Sequence, residues 1–292
     1  MHKPKPAIKA QPHKSPGADT GWHQSSSWYD ERVGEQGHFH HVRTIIPGLK
    51  RMLALKPGQR LLDVGCGQGV VCRAFAEDGI DCTGIDVAAE LITIAKTRAG
   101  AATDQRYLIL DARKLSAAAE VSAEGFDAAC CVLAITNMTP LTPIWQGIWS
   151  RLKPGGNLAV VLVHPCFRIP RKSDWLLDPA APAQQRVIRQ YLTSEKIPID
   201  MHPGDAAGEV TYSFHRPIQA YVNTMASAGL LVDHMEEWIS EKRPPAGRLA
   251  EVMEKARREI PLFMALRARK VPPLAQANRH TGPRGHKTSE PE

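Results

Sequence analysis

Apolar residues fall along the chain in short runs, at Arg60–Val64, Gly79–Ile85, Arg106–Leu110, Phe126–Leu133, Asn157–Val163, Leu230–Trp238 and Pro261–Lys270. Runs of this length and continuity suit strands buried on both faces. Helical spacing of apolar positions covers Val42–Leu55, Val70–Asp78, Ala88–Arg98, Ala112–Ala119, Pro143–Leu152, Pro217–Ala228 and Gly247–Arg258. The alternation predicts an α/β, doubly wound fold: a seven-stranded, mostly parallel sheet with helices on both faces. Gly79 and Gly229 stand where helix C-caps are needed, and Pro154-Gly155-Gly156 predicts a turn into the fifth strand. The last two strands are expected to form an antiparallel edge pair. Arg168–Tyr212 breaks the alternation; its length, with Trp175, Tyr191 and Ile197–Met201 in it, predicts a folded lid inserted after the fifth strand. Residues 1–27 and 271–292 are poor in large apolar side chains and are expected to be disordered tails. That leaves a domain over 28–270, with a core at 56–163 and the lid at 168–212.

Composition narrows the class. The chain has 292 residues, 43% of them apolar, which suits one main globular domain. No apolar stretch reaches the ~18–20 residues of a membrane span. Met1–Ser27 is rich in Lys, Pro and Ser and lacks the apolar run of a secretory signal, so a cytoplasmic protein without membrane partners is expected. Cys66, Cys72, Cys82, Cys130, Cys131 and Cys166 follow neither a disulfide nor a zinc spacing, and reduced, mostly buried thiols are the expectation. The net charge of +7 raises nucleic acid as a partner. Much of it sits in the tails, with four lysines against one aspartate in residues 1–20. In the body, Arg168, Arg171 and Lys172 form the one short basic run, so a nucleic-acid partner is not expected.

Candidate chemistry lies at the ends of the first three strands. Asp63-Val64-Gly65-Cys66-Gly67-Gln68-Gly69 puts a carboxylate at a strand end and three glycines in the turn before a helix, where the backbone turns tightly and approaches a ligand. The G-x-G-x-G spacing lacks the third glycine of a dinucleotide fingerprint and the lysine of a phosphate-binding loop. Asp86, followed by Val87, ends the second strand, where a carboxylate can accept from both hydroxyls of a ribose. Asp111 ends the third; its carboxylate or the Ala112 backbone amide can reach an adenine edge. A lone strand-end Asp is more often a helix cap, but three in register meet the rule that ligands of such sheets bind outside the carboxyl ends of the strands.

Leu62–Gly69, Gly84-Ile85-Asp86-Val87, Leu108–Ala112, Phe126-Asp127 and Leu152-Lys153-Pro154-Gly155-Gly156 together resemble the ordered motifs of class I S-adenosylmethionine-dependent methyltransferases, over about residues 60 to 163. The resemblance implies S-adenosyl-L-methionine as cofactor. Its methionine part would lie against Gly65, Cys66, Gly67 and Gly69, its ribose on Asp86, and its adenine by Asp111 and Ala112. The backbone at Leu133–Ala134 would close the methionine side, and Asp63 would organise the turn. Trp28-Tyr29-Asp30 and His40-His41 resemble the N-terminal lid of small-molecule members. His164-Pro165-Cys166-Phe167 and Tyr212–Pro217 resemble stretches of bacterial methyltransferases of unassigned substrate.

The acceptor is less legible. Ala134–Met138 contains no Asn/Asp-Pro-Pro-aromatic motif, which disfavours adenine-N6 or glutamine methylation. His38, His40 and His41 lack a carboxylate at metal-ligand spacing, so a lid or surface role is expected and no metal. Cys166 invites covalent attack on a cytosine ring, but a small strand-end residue is the better reading. His164 and His215 are the candidate bases for an oxygen or nitrogen nucleophile, each against the alternative of a structural, hydrogen-bonded histidine. These features predict O- or N-methylation of a small-molecule acceptor. The alternatives are an RNA or protein methyltransferase and a non-catalytic cofactor-binding module.

Overall fold

The computed structural model describes residues 30–31, 33–100, 105–122, 125–178, 183–200 and 210–271. Both expected tails, apart from Val271, and Trp28 and Tyr29 lie outside the described residues.

Seven strands form one sheet: β1 (Arg60–Val64), β2 (Asp81–Asp86), β3 (Arg106–Ile109), β4 (Phe126–Val132), β5 (Leu152–Val163), β10 (Leu230–Trp238) and β11 (Phe263–Lys270). Their order is β10-β11-β5-β4-β1-β2-β3. The first five are parallel, and β11 runs antiparallel to both β5 and β10. The expected antiparallel pair therefore exists, but only β10 is an edge strand. The expected turn at Pro154–Gly156 shows in the register: two residues of β4 (Phe126 to Ala128) advance against five of β5 (Leu152 to Asn157).

Strand alternation divides the core between the two faces. Leu62, Val64, Ala129, Cys131, Val160 and Leu162 face α4 (Leu141–Arg151) and α5 (Ile218–Ser227), with Trp145 and Tyr221 fully buried among them. Leu61, Ala128, Cys130, Ala159 and Val161 face α1 (Ile46–Leu53), α2 (Val70–Ala76) and α3 (Ala89–Ala99). A turn of π-helix over His41–Ile45 leads into α1, and α6 (Ala250–Glu259) joins β10 to β11. The helix expected over Ala112–Ala119 is a 3₁₀ turn, Ala112–Ala117. Among the described residues no helix is long and apolar enough to cross a membrane.

The segment expected to be a lid contains two antiparallel hairpins outside the main sheet, β6–β7 (Ser173–Asp178 with Ala183–Ile188) and β8–β9 (Glu195–Asp200 with Val210–His215). Trp175 anchors the first, with the Arg168 and Arg186 guanidinium carbons 5.1 and 5.2 Å from its ring. β9 lies beside the 3₁₀ turn Ile135–Asn137 that follows β4, so the second hairpin reaches the carboxyl edge of the parallel strands.

Candidate active site

At that edge the chain after β1 curls over β2. Gly65 and Cys66 both donate to the Ile85 carbonyl, at 2.8 and 3.0 Å. Gly65, Gly67 and Gly69 all take the left-handed region, with φ of +77°, +53° and +81°, which side chains with a Cβ rarely adopt. Space is equally restrictive. A Cβ on Gly65 would stand 2.5 Å from Ala134 Cβ and 2.8 Å from Met138 Cε. The glycine turn and the segment after β4 thus face each other at close range, and Leu133, where that segment begins, is a non-glycine residue at φ +53°. Such backbone conformations concentrate at ligand sites.

Asp86 is fixed by two backbone donors, Gly67 N to Oδ2 and Ala88 N to Oδ1, each 2.9 Å. The carboxylate therefore holds the glycine turn in place while remaining half-exposed at the strand end, and Val87 beside it is exposed. Asp111 caps the Ala112–Ala117 turn through Arg113 N at 2.9 Å and forms a fork-to-fork pair with the Arg113 guanidinium, Nε lying 2.9 and 3.0 Å from the two oxygens. That pair holds the carboxyl below its usual range and engages both oxygens. Ala112 is buried next to it.

Asp63 and Cys66 lie underneath. Asp63 is 1% exposed, and the Cys130 and Cys72 thiols donate to its oxygens at 3.4 and 3.7 Å. Burial, opposed by those thiols, pushes its pKa up to about 7. Burial and the neighbouring carboxylates hold the Cys66 thiol well above its ordinary range, so it is neutral.

An N-terminal segment closes the turn from above. Gln68 Nε2 donates to the Gly34 carbonyl at 3.0 Å, Arg73 donates to the carbonyls of Gln68 and Glu35, and Asp30 forms a two-point ion pair with Arg98 at 2.6 and 2.9 Å. His40 packs edge-on against Phe263 at the same edge. The Nδ1 atoms of His40 and His41 and the Oε1 of Gln68 are buried with no hydrogen-bond partner among the described residues. Burial lowers the pKa of His41 to about 4, so this histidine is neutral. Among the described residues no group of three or more His, Cys, Asp or Glu is arranged to hold a metal ion.

The two candidate bases differ. His164 is 1% exposed; its Nε2 lies 2.7 Å from Glu237 Oε1, and its Nδ1 accepts from Cys166 N and Phe167 N at 3.2 and 3.4 Å. Nδ1 must then carry the lone pair and Nε2 the proton. Both nitrogens are used in fixing the turn after β5, which argues against the expected base role. His215 directs Nε2 at the Tyr191 carbonyl, 2.8 Å away, so its proton sits on Nε2 and its lone pair on Nδ1. Next to it, Arg216 donates from Nη2 to the Met138 carbonyl at 2.8 Å. Arg216 lies within the Tyr212–Pro217 stretch, where sequence alone gives it no role.

Cys166 is half-buried and burial raises its thiol pKa, which argues against a thiolate nucleophile. The basic run is largely engaged. Arg168 stacks on Trp175 and donates to the Ile260 and Pro261 carbonyls, and Lys172 pairs with Glu195.

Comparison with known proteins agrees with this geometry. Residues 62–160 match a family model described as a methyltransferase domain. The ubiquinone biosynthesis O-methyltransferase of Xanthomonas campestris pv. campestris is 31% identical over 135 residues, 46% of this chain and 55% of that one. Its counterpart in Xylella fastidiosa is 31% identical over 144 residues, 48% and 56% of the two chains. The chain thus spans about half the length of the curated relatives it matches. An S-adenosylmethionine dependent methyltransferase from Mesorhizobium loti superposes with a TM-score of 0.59 at 25% identity, covering 77% of this chain and 96% of that one. The glycopeptide N-methyltransferase MtfA in complex with S-adenosylmethionine shares the fold, with a TM-score of 0.52 at 14% identity over 78% and 93% of the two chains. Over residues 62–160 the chain thus resembles a methyltransferase domain, within a fold shared with S-adenosylmethionine-dependent methyltransferases.

Proposed function

We propose that this protein transfers a methyl group from S-adenosyl-L-methionine to the oxygen or nitrogen of a small-molecule acceptor. The reading rests on one convergence: the left-handed glycine turn, the Asp86 carboxylate and the Leu133–Met138 segment meet at the carboxyl ends of β1, β2 and β4. When bound, the cofactor supplies an electrophilic methyl group on a sulfonium; the protein supplies position and electrostatics. Gly65, Cys66, Gly67 and Gly69 leave room for the methionine part, with Leu133 and Ala134 opposite. Asp86 receives the ribose hydroxyls, since its half-exposed carboxylate stands at the end of β2 beside the glycine turn, where it can accept from both. With Asp111 tied to Arg113, the adenine edge falls to the Ala112 backbone. The acceptor enters between the segment after β4 and the hairpin β8–β9, where excluding water and aligning the nucleophile lower the barrier. His215, through Nδ1, takes the acceptor proton.

Engagement of Arg168 and Lys172 within the fold favours a small acceptor over RNA. Calorimetry with S-adenosylhomocysteine tests the cofactor half. The parent should bind, and Asp86→Ala should weaken binding about ten- to hundredfold through loss of charge-assisted hydrogen bonds. Unchanged affinity in a folded Asp86→Ala variant would remove Asp86 from the site. Methyl transfer to a panel of phenols, amines and carboxylates tests turnover; binding without turnover on any of them would favour a non-catalytic module.

A further inference from the structure

Among the described residues no acid pairs with the charge of Arg216. Its Nη2 is bound to the Met138 carbonyl, whereas Nη1 is sealed from solvent with no hydrogen-bond partner among the described residues. A buried donor on a partly buried cation left in this state is costly, and native structures seldom keep one without a use. The acids close to it in the fold are committed elsewhere. Glu195, opposite His215 in the β8–β9 register, pairs with Lys172 at 3.4 Å, and Asp111 pairs with Arg113. The remaining neighbours are the Phe214 ring, 5.2 Å from the guanidinium carbon, and the buried Tyr221, whose hydroxyl is hydrogen-bonded to the guanidinium and kept neutral chiefly by its burial. Neither is an anion.

Position gives the charge a purpose. Met138 holds Arg216 through its carbonyl, while its methyl end lies 2.8 Å from where a Cβ on Gly65 would stand. One residue therefore separates the guanidinium from the glycine turn, on the side where β9 and the segment after β4 adjoin. Resting on the methyltransferase reading above, we propose that the acceptor is an anion bearing a carboxylate, and that Arg216 is its counter-charge. A planar carboxylate matches the fork of Nη1 and Nη2 and gives Nη1 the acceptor it lacks. Because Nη1 is sealed, the carboxylate reaches it as the β8–β9 hairpin shifts, and the unmatched charge favours that exchange.

Benzoate and its neutral isostere benzamide serve as probes, titrated calorimetrically into protein saturated with S-adenosylhomocysteine. Benzoate should bind at least about tenfold more tightly than benzamide, the size expected of a charge-assisted pair. Arg216→Gln should erase that preference and leave S-adenosylhomocysteine affinity unchanged. Arg216→Lys, which keeps the charge and loses the fork, should retain less than about a third of it and covers failure of the Gln variant to fold. Three results would overturn the proposal: equal binding of the two probes, a preference that survives in both variants, or a tenfold loss of S-adenosylhomocysteine affinity in Arg216→Gln. The last would give the guanidinium to the cofactor's own carboxylate. If the parent fails to bind S-adenosylhomocysteine, the methyltransferase reading fails and the proposal falls with it.

Discussion

Replacing Asp63 with Asn tests the reasoning about the buried floor of the site. The carboxyl is 1% exposed and receives only weak thiol donors, so burial raises its pKa from the ordinary 3.8 to about 7. The folded state then holds the proton more tightly than the unfolded chain. Its contribution to stability is full below pH 3.8, is lost as pH rises through about 7, and is constant above that. The displacement corresponds to roughly 4 kcal/mol lost across the window, an upper figure, since water penetration and relaxation soften buried charges. Asn cannot ionise and fits the same space, although it turns one acceptor oxygen into a donor facing a thiol. Urea unfolding of parent and Asp63→Asn at about pH 5, 6.5 and 8 should show the variant gaining relative to the parent as pH rises, by roughly 2–4 kcal/mol in all. A difference that stays flat across that range would mean Asp63 is not a buried acid titrating near neutrality.

The other expectations concern the edge above it. Gly65→Ala should lose measurable S-adenosylhomocysteine binding and destabilise the fold by about 1–3 kcal/mol, because the new methyl meets Ala134 at 2.5 Å and the φ of +77° disfavours it; calorimetry and thermal melts check both. His164→Ala should lower stability by about 1–3 kcal/mol by freeing Glu237 and two backbone amides. It should leave the pH profile of single-turnover methyl transfer intact, whereas His215→Ala should slow that step roughly 10²–10⁴-fold. If His164→Ala rather than His215→Ala changes the profile, the assignment of the two histidines is reversed.

Local pattern carried the strands, and it carried the glycine turn. Arg60–Val64 is a strand over the residues its apolar run marks, because a strand buried on both faces needs no partner to declare itself. Asp86 was legible from its place after such a run. The hairpins β6–β7 and β8–β9 were not, since Arg186, Gln184, Gln185, Glu195 and Lys196 interrupt any apolar alternation and their order comes from pairing. Long-range pairing also set the place of β11, which no local pattern encodes. Sequence leaves His164 open between a base and a structural histidine because its partner Glu237 lies 73 residues away. Arg113, two residues past Asp111, is placed for a local ion pair by sequence alone. Arg216 was unreadable as a candidate, because its significance lies in the absence of a matching acid and that is a property of the folded neighbourhood.

The central place of β11 bears on how the sheet is assembled. β11 is made after every other strand of its sheet, yet it is the one that joins β10 to the rest. Until Phe263–Lys270 is available, β5 keeps an open edge and β10 has no strand to pair with. Contacts of long sequence separation close slowly, and a five-stranded parallel sheet with the β5 edge unpaired is all that the strands before β10 can form without β11. A truncation before residue 263 would leave that sheet as the end point. The expected product is an association-prone chain with a formed glycine turn and no sixth or seventh strand.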